Sequence, residues 1–173
     1  KHFKSDEMKK YLGRIADSRG HAFAKQVFEK VKTLLPGFEL EAKMRSLGAP
    51  KNPDLGDIDV LAWDTSKNTI FLIECKRLRK SLSPRDVINR LEEFKGKKGD
   101  SLGKHTRRAE WLKNNPDVLA KKTGIPAAKI KWVPLLVTSG RVPMTFLDGI
   151  NFPKNNVVPF SEIEQILTCD HTL

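Results

Sequence analysis

The chain has 173 residues, is 39% hydrophobic and carries a net charge of +11. That is enough for one domain with a real core. No apolar run approaches the ~20 residues of a membrane helix, and the opening KHFKSDEMKK lacks the apolar stretch of a secretory signal. A cytoplasmic protein without a membrane partner is expected. Because the chain opens on Lys1 rather than Met, an excised domain or a processed chain is expected, with an additional domain missing.

Two cysteines, Cys75 and Cys169, and four scattered histidines at 2, 21, 105 and 171 do not make a zinc pattern. The two cysteines read as reduced thiols. The charge is more specific. Residues 76 to 131 hold 17 basic against 6 acidic residues, an excess equal to the net charge of the whole chain. An even solubilising coat would not concentrate charge in this way, and a polyanion is its natural partner, nucleic acid above all. No aromatic residues are interleaved with the basic ones, so base stacking is not signalled.

In chain order, SDEMKKYLGRIAD (5–17) predicts a short helix capped by Ser5. GHAFAKQVFEKVKTLL (20–35) predicts a second, with Phe23, Val27, Val31 and Leu34 as its apolar stripe, ended by Pro36-Gly37. Strands are expected at 38–44, 57–63 and 69–77, the last bulky enough to be central, with a turn at 64–68. Ser83-Pro84 opens a helix over 83–96. Helical segments follow at 105–114 and 116–123. A strand over 130–140 contains Pro134, which argues for an edge or a bulge. VPMTFLD (142–148) and NNVVPF (155–160) are the segments from which a short fifth strand is expected, and a helix at 161–167 completes the pass. The division expected is an N-terminal helical arm (1–19), a single domain (20–168) and a short tail (169–173). The fold class is α/β, a mixed central sheet flanked by helices.

Four charges interrupt the hydrophobic strands in GDIDVLAWDTSKNTIFLIECKRLRK (56–80). Side chains alternate along a strand, so Asp57, Asp59 and Leu61 share one face, as do Leu72, Glu74 and Lys76 on the next strand. If the strands form an antiparallel hairpin, Asp59 comes close to Glu74. Carboxylates so placed repel and resist burial. A hard divalent cation resolves the conflict, since Mg²⁺ binds through one or two carboxylates plus waters and phosphate. The Cys75 carbonyl is a further candidate ligand. A neighbouring lysine can orient a water or stabilise charge developing on phosphorus. Such an assembly suits phosphodiester hydrolysis. In the plainer reading, GDID is a solvated strand start and ECK a cross-strand ion pair.

Asp59 with Glu74-Cys75-Lys76 resembles the Asp…Glu-x-Lys pattern of the PD-(D/E)xK nuclease superfamily, and GDIDVLA…IECK is similar to its Mrr-like and Holliday-junction-resolvase-like branches. The likeness covers residues 20 to 140. It implies a restriction-endonuclease-like αβββαβ core and Mg²⁺-dependent cleavage of DNA, double-stranded by expectation, with Mn²⁺ able to substitute. Asp59 and Glu74 would bind metal and Lys76 would position the water. Asp57 would be an auxiliary ligand, or the main one if the register is shifted by two. Double-strand cutting would favour a homodimer. Many relatives carry an acid on the first core helix, and that position falls here on Ala24; Glu29, the only acid after Gly20 in that helix, reads as solvated. Phosphate contacts are expected from Lys80, Arg85 and Arg90 and from the basic cluster Lys104, Arg107 and Arg108. His105 reads as a surface residue, and Trp111 and Trp132 as core. Two other readings stay open: a catalytically weak or inactive nucleic-acid-binding module of the same fold, and an RNA-processing nuclease.

Overall fold

The computed structural model describes residues 5–51, 55–78, 83–92, 94, 100–144, 148–150 and 152–169, the side chains at 89, 90 and 92 excepted. The first element is a helix, α1 (Asp6–Leu34), capped by the Ser5 hydroxyl, which accepts from the Met8 N–H. The two helices expected at 5–17 and 20–35 are therefore one. Gly13 and Gly20 lie inside it, and each costs a helix only ~1 kcal/mol relative to Ala. What ends α1 is Pro36, which holds Leu35 extended (φ −126°, ψ 145°).

A meander follows: β1 (Gly37–Ala42), β2 (Ile58–Asp64) and β3 (Thr69–Lys76), each antiparallel to its neighbour. A short 3₁₀ turn (Met44–Leu47) interrupts the connection from β1 to β2. The β2–β3 turn is tied by Asp64, whose Oδ1 accepts from the Ser66 N–H and hydroxyl, and Asn68 takes the left-handed conformation (φ 54°). The chain then crosses through α2 (Pro84–Glu92), α3 (Ser101–Asn114) and α4 (Asp117–Thr123) to β4 (Lys131–Thr138), which pairs parallel with β3. β5 (Val157–Pro159) adds in parallel to β4, and α5 (Ile163–Thr168) closes the order. The sheet runs β1-β2-β3-β4-β5, mixed and flanked by helices, and its element order is αβββ-α-β as expected.

Both faces of β2 and β3 are covered. Val60, Ala62, Phe71 and Ile73 pack with Phe23, Val27 and Val31 of α1 and with Ile163 and Leu167 of α5. Leu61, Ile70 and Leu72 pack with Ala109 and Leu112 of α3 and Leu119 of α4. Trp111 and Trp132 border this second cluster, partly buried rather than central. Double coverage explains why β3 reads as a nearly continuous apolar run. Among the described residues no helix is long and apolar enough to cross a membrane.

Pro134 is not on an edge strand of the sheet, since β4 lies between β3 and β5. Its segment nevertheless has an edge's freedom. β5 pairs only with Leu136–Thr138, so beyond it the outer side of β4 has no strand partner among the described residues, and the Asn156 amide caps the Pro134 carbonyl (2.8 Å). A missing N–H is tolerated there.

Gly37 opens β1 opposite Trp63. A Cβ at this position would fall inside the Trp63 indole. Gly37→Ala is expected to lower unfolding free energy by ~1–3 kcal/mol, read by urea denaturation, and Trp63→Leu in the same chain should recover most of that loss.

Candidate active site

The hairpin register decides where the four charges fall. Val60 stands opposite Ile73, so one step further along the ladder Asp59 stands opposite Glu74. In an antiparallel pair, opposite side chains share a face. The Asp59 Oδ2 accepts from the Cys75 N–H at 2.7 Å, fastening the start of β2 to the end of β3.

On this face α3 lies along β3. Lys76 Nζ is 3.5 Å from the Ser101 hydroxyl, in the first turn of α3. Two turns on, Arg108 Nη1 donates to Glu74 Oε2 at 2.9 Å. Leu112, a turn further, belongs to the cluster that holds Leu72. Helix positions 101, 108 and 112 thus answer strand positions 76, 74 and 72, a match of helical and strand periodicities.

Arg108 is not the surface phosphate contact expected from the sequence. Its side chain is 3% exposed and Glu74's is 15%. The Arg108 Nε also donates to the Leu55 carbonyl (2.8 Å). The basic cluster KHTRR lies within α3 rather than at its start, because the helix begins at Ser101, where the Asp100 carboxylate accepts from the Gly103 N–H. One face of that helix must be buried, and His105 and Arg108 are on it. His105, expected at the surface, is fully buried against Phe152, its ring nitrogens without hydrogen-bond partners among the described residues. Burial and the nearby Arg108 charge push its pKa down to about 3, so the ring is neutral. Lys104 and Arg107 are partly buried. Arg85 is exposed on α2; Arg90 lies on the same helix, and Lys80 lies outside the described residues.

Burial, then the facing Asp59 charge, raises Glu74 to about 7, against the opposing pull of Arg108 and, more weakly, Lys76. Asp59 is also raised, chiefly by burial, although the Cys75 N–H and Arg108 favour its charged form. The Cys75 thiol is pushed well above its usual value by burial, then by the Asp59 and Glu74 charges.

Asp57 does not join this pair. It precedes β2, and both its oxygens are engaged elsewhere: Oδ1 accepts from the Met44 N–H (3.1 Å) and Oδ2 from Lys43 Nζ (3.0 Å). Asp57 ties the 3₁₀ turn to the entrance of β2. Glu29 is exposed beside Lys32, as read, and Ala24 is buried on the core side of α1.

Glu41 was not singled out by the sequence. Leu40 pairs with Val60 and Ala42 with Ile58, so Glu41 stands opposite Asp59 on the other side. Its backbone is left-handed (φ 52°), rare for a non-glycine residue, and its carboxylate meets His21 Nδ1 of α1 at 3.0 Å. Asp59 feels both groups, His21 favouring its charge and Glu41 opposing it. Strand alternation alone could have placed Glu41 on this row; the backbone reversal could not be read.

Among the described residues no three His, Cys, Asp or Glu side chains stand together as a ready-made metal cage. The site presents instead two facing carboxylates, Asp59 and Glu74. That donor set fits a hard cation of the Mg²⁺ type, which keeps several waters and needs only one or two carboxylates.

No curated protein and no solved structure matches the chain. A family model described as anti-phage protein Upx-like matches residues 1–159. With most of its length inside that match, the chain belongs to the Upx-like family of anti-phage proteins, which suggests a role in defence against phage.

Proposed function

We propose that this protein is a divalent-metal-dependent endonuclease that hydrolyses phosphodiester bonds in DNA, its site formed by Asp59, Glu74 and Lys76. The observation that carries the proposal is the facing of Asp59 and Glu74 across the β2–β3 ladder, with Lys76 on the same face one strand repeat away. Two carboxylates on adjacent strands, both with raised pKa, cost the fold stability. Such arrangements cluster where chemistry needs them. The resemblance of the Asp…Glu-x-Lys pattern to PD-(D/E)xK nucleases points the same way, as does membership of an anti-phage family, for which nucleic acid is a natural target.

In this reading Asp59 and Glu74 hold Mg²⁺, or Mn²⁺ in its place. When bound, the cation supplies charge for the phosphate oxygens and acidifies a water. Lys76 is held on the α3 side of the carboxylate pair by the Ser101 hydroxyl, 3.5 Å away. From there it orients the attacking water or neutralises the charge that builds on phosphorus. The exposed Arg77 and Arg85 sit just beyond Lys76 in the chain and meet backbone phosphates, steering DNA without reading its sequence. Double-strand scission would bring two copies together.

The test is plasmid nicking with Mg²⁺, with Mn²⁺ and with EDTA. Asp59→Ala and Glu74→Ala should abolish cleavage, and Lys76→Ala should slow it by ~10²–10⁴-fold, with circular dichroism unchanged. Salt-sensitive binding without scission under any divalent cation would leave a binding module. Cleavage of RNA but not of duplex DNA would redirect the substrate.

A second expectation follows from the raised carboxylate pKa values. A carboxyl whose folded pKa lies above its ordinary value favours the fold at low pH, and that contribution is lost as pH rises through the folded value, about 7 for Glu74. Asp59→Asn removes one of the two facing charges while keeping an acceptor for the Cys75 N–H. The variant should be inactive, yet more stable than wild type by ~1 kcal/mol above neutral pH. The gain should shrink towards pH 5. Thermal melts of both proteins across this range measure it.

A further inference from the structure

Arg108 makes two hydrogen bonds that no surface arginine would make together. Nη1 reaches Glu74 Oε2 on β3 and Nε reaches the Leu55 carbonyl ahead of β2. Gly56, left-handed at φ 60°, lies so close that a Cβ there would stand 3.1 Å from Nη2. Leu55 is itself buried, and the next residues are Asp57, which fastens the 3₁₀ turn, and Asp59. The guanidinium therefore joins α3, the end of β3 and the entrance to β2 at one buried point. A planar fork suits that task, and a lysine could not make both bonds in these directions.

The geometry points to Arg108 as the positioning residue of the carboxylate pair: it holds Glu74 by one oxygen, presents the other to a cation, and fixes the β2 entrance that carries Asp59. This inference rests on the nuclease reading of the site and adds to it a residue that touches neither metal nor DNA. Two carboxylates facing each other across a ladder would turn apart if nothing restrained them. Asp59 is restrained by the Cys75 N–H. For Glu74 the described restraint is Arg108. Groups that orient metal ligands through a hydrogen bond commonly contribute 10–100-fold to metal affinity or activity.

The experiment compares wild type, Arg108→Lys and Arg108→Met at one fixed pH. Mn²⁺ binding is followed by the electron paramagnetic resonance signal of free Mn²⁺, and plasmid nicking gives kcat and KM. Arg108→Met is expected to bind Mn²⁺ ~10–100-fold more weakly, with kcat reduced and KM for DNA unchanged. Arg108→Lys should fall between Met and wild type. Unchanged or tighter Mn²⁺ binding by folded Arg108→Met overturns the inference. So does a raised KM at constant kcat, which would return Arg108 to the DNA surface. If Arg108→Met does not fold, Arg108→Lys decides: wild-type Mn²⁺ affinity and kcat in that variant overturn the inference. Wild type that binds no Mn²⁺ overturns the nuclease reading and this inference with it, whereas Mn²⁺ binding that is intact in wild type and indifferent to Arg108 overturns the inference alone.

Discussion

The antiparallel register of β2 on β3 is the constraint from which the site follows. Val60 opposite Ile73 and Ala62 opposite Phe71 are buried against α1, and Leu61 opposite Leu72 is buried against α3. A slip of one residue would turn every one of these to the wrong side. The apolar core therefore locks the register, and the register brings Asp59 opposite Glu74. The carboxylates do not choose their position. They are carried to it by hydrophobic neighbours whose burial, at ~25 cal/mol per Å², outweighs the repulsion at the end of the ladder.

That order of causes explains why much of the architecture could be read from the chain. The strands to within two residues, the turn with Asp64 and Asn68, and the α/β class all follow from local chemistry and period; the first strand, expected to run to 44, stops at Ala42 before the 3₁₀ turn. Asp59 near Glu74 followed from alternation and a hairpin. Other features required knowledge of contacts between elements distant in sequence. Nothing local says that Gly13 and Gly20 are tolerated in a single helix, because the cost of each is small against the rest of α1. Pro134 reads as an edge or a bulge; β5 reaches only Leu136–Thr138, so among the described residues the rest of β4 has an open outer side. Asp57 and Asp59 look equivalent in GDID, yet one caps a 3₁₀ turn and the other enters the strand.

Arg108 and His105 show the same limit more sharply. In KHTRR every residue looks like surface, and the density of charge suggests a patch for phosphates. Once α3 begins at Ser101, its helical period sends positions 105 and 108 inward. One becomes a neutral imidazole buried beside Phe152, and the other a guanidinium tied to Glu74. Arg108 counts toward the basic excess of 76–131 and His105 toward the polar surface, but burial removes both from the surface.

A buried arginine beside two partly buried carboxylates is a weak source of stability. Desolvation of such ions can consume what their attraction returns. If stability alone were at stake, aliphatic side chains would pack the same volume between α3 and β3 with less penalty. The chain instead keeps three ionised or ionisable groups at one end of a well-packed sheet and restrains each with a specific bond: Asp59 by the Cys75 N–H, Glu74 by Arg108, and Lys76 by Ser101. Restraint of this kind gives orientation rather than stability. Orientation is what a two-carboxylate site needs in order to present oxygens to a hard cation without a third or fourth protein ligand, because the missing ligands are then water and phosphate.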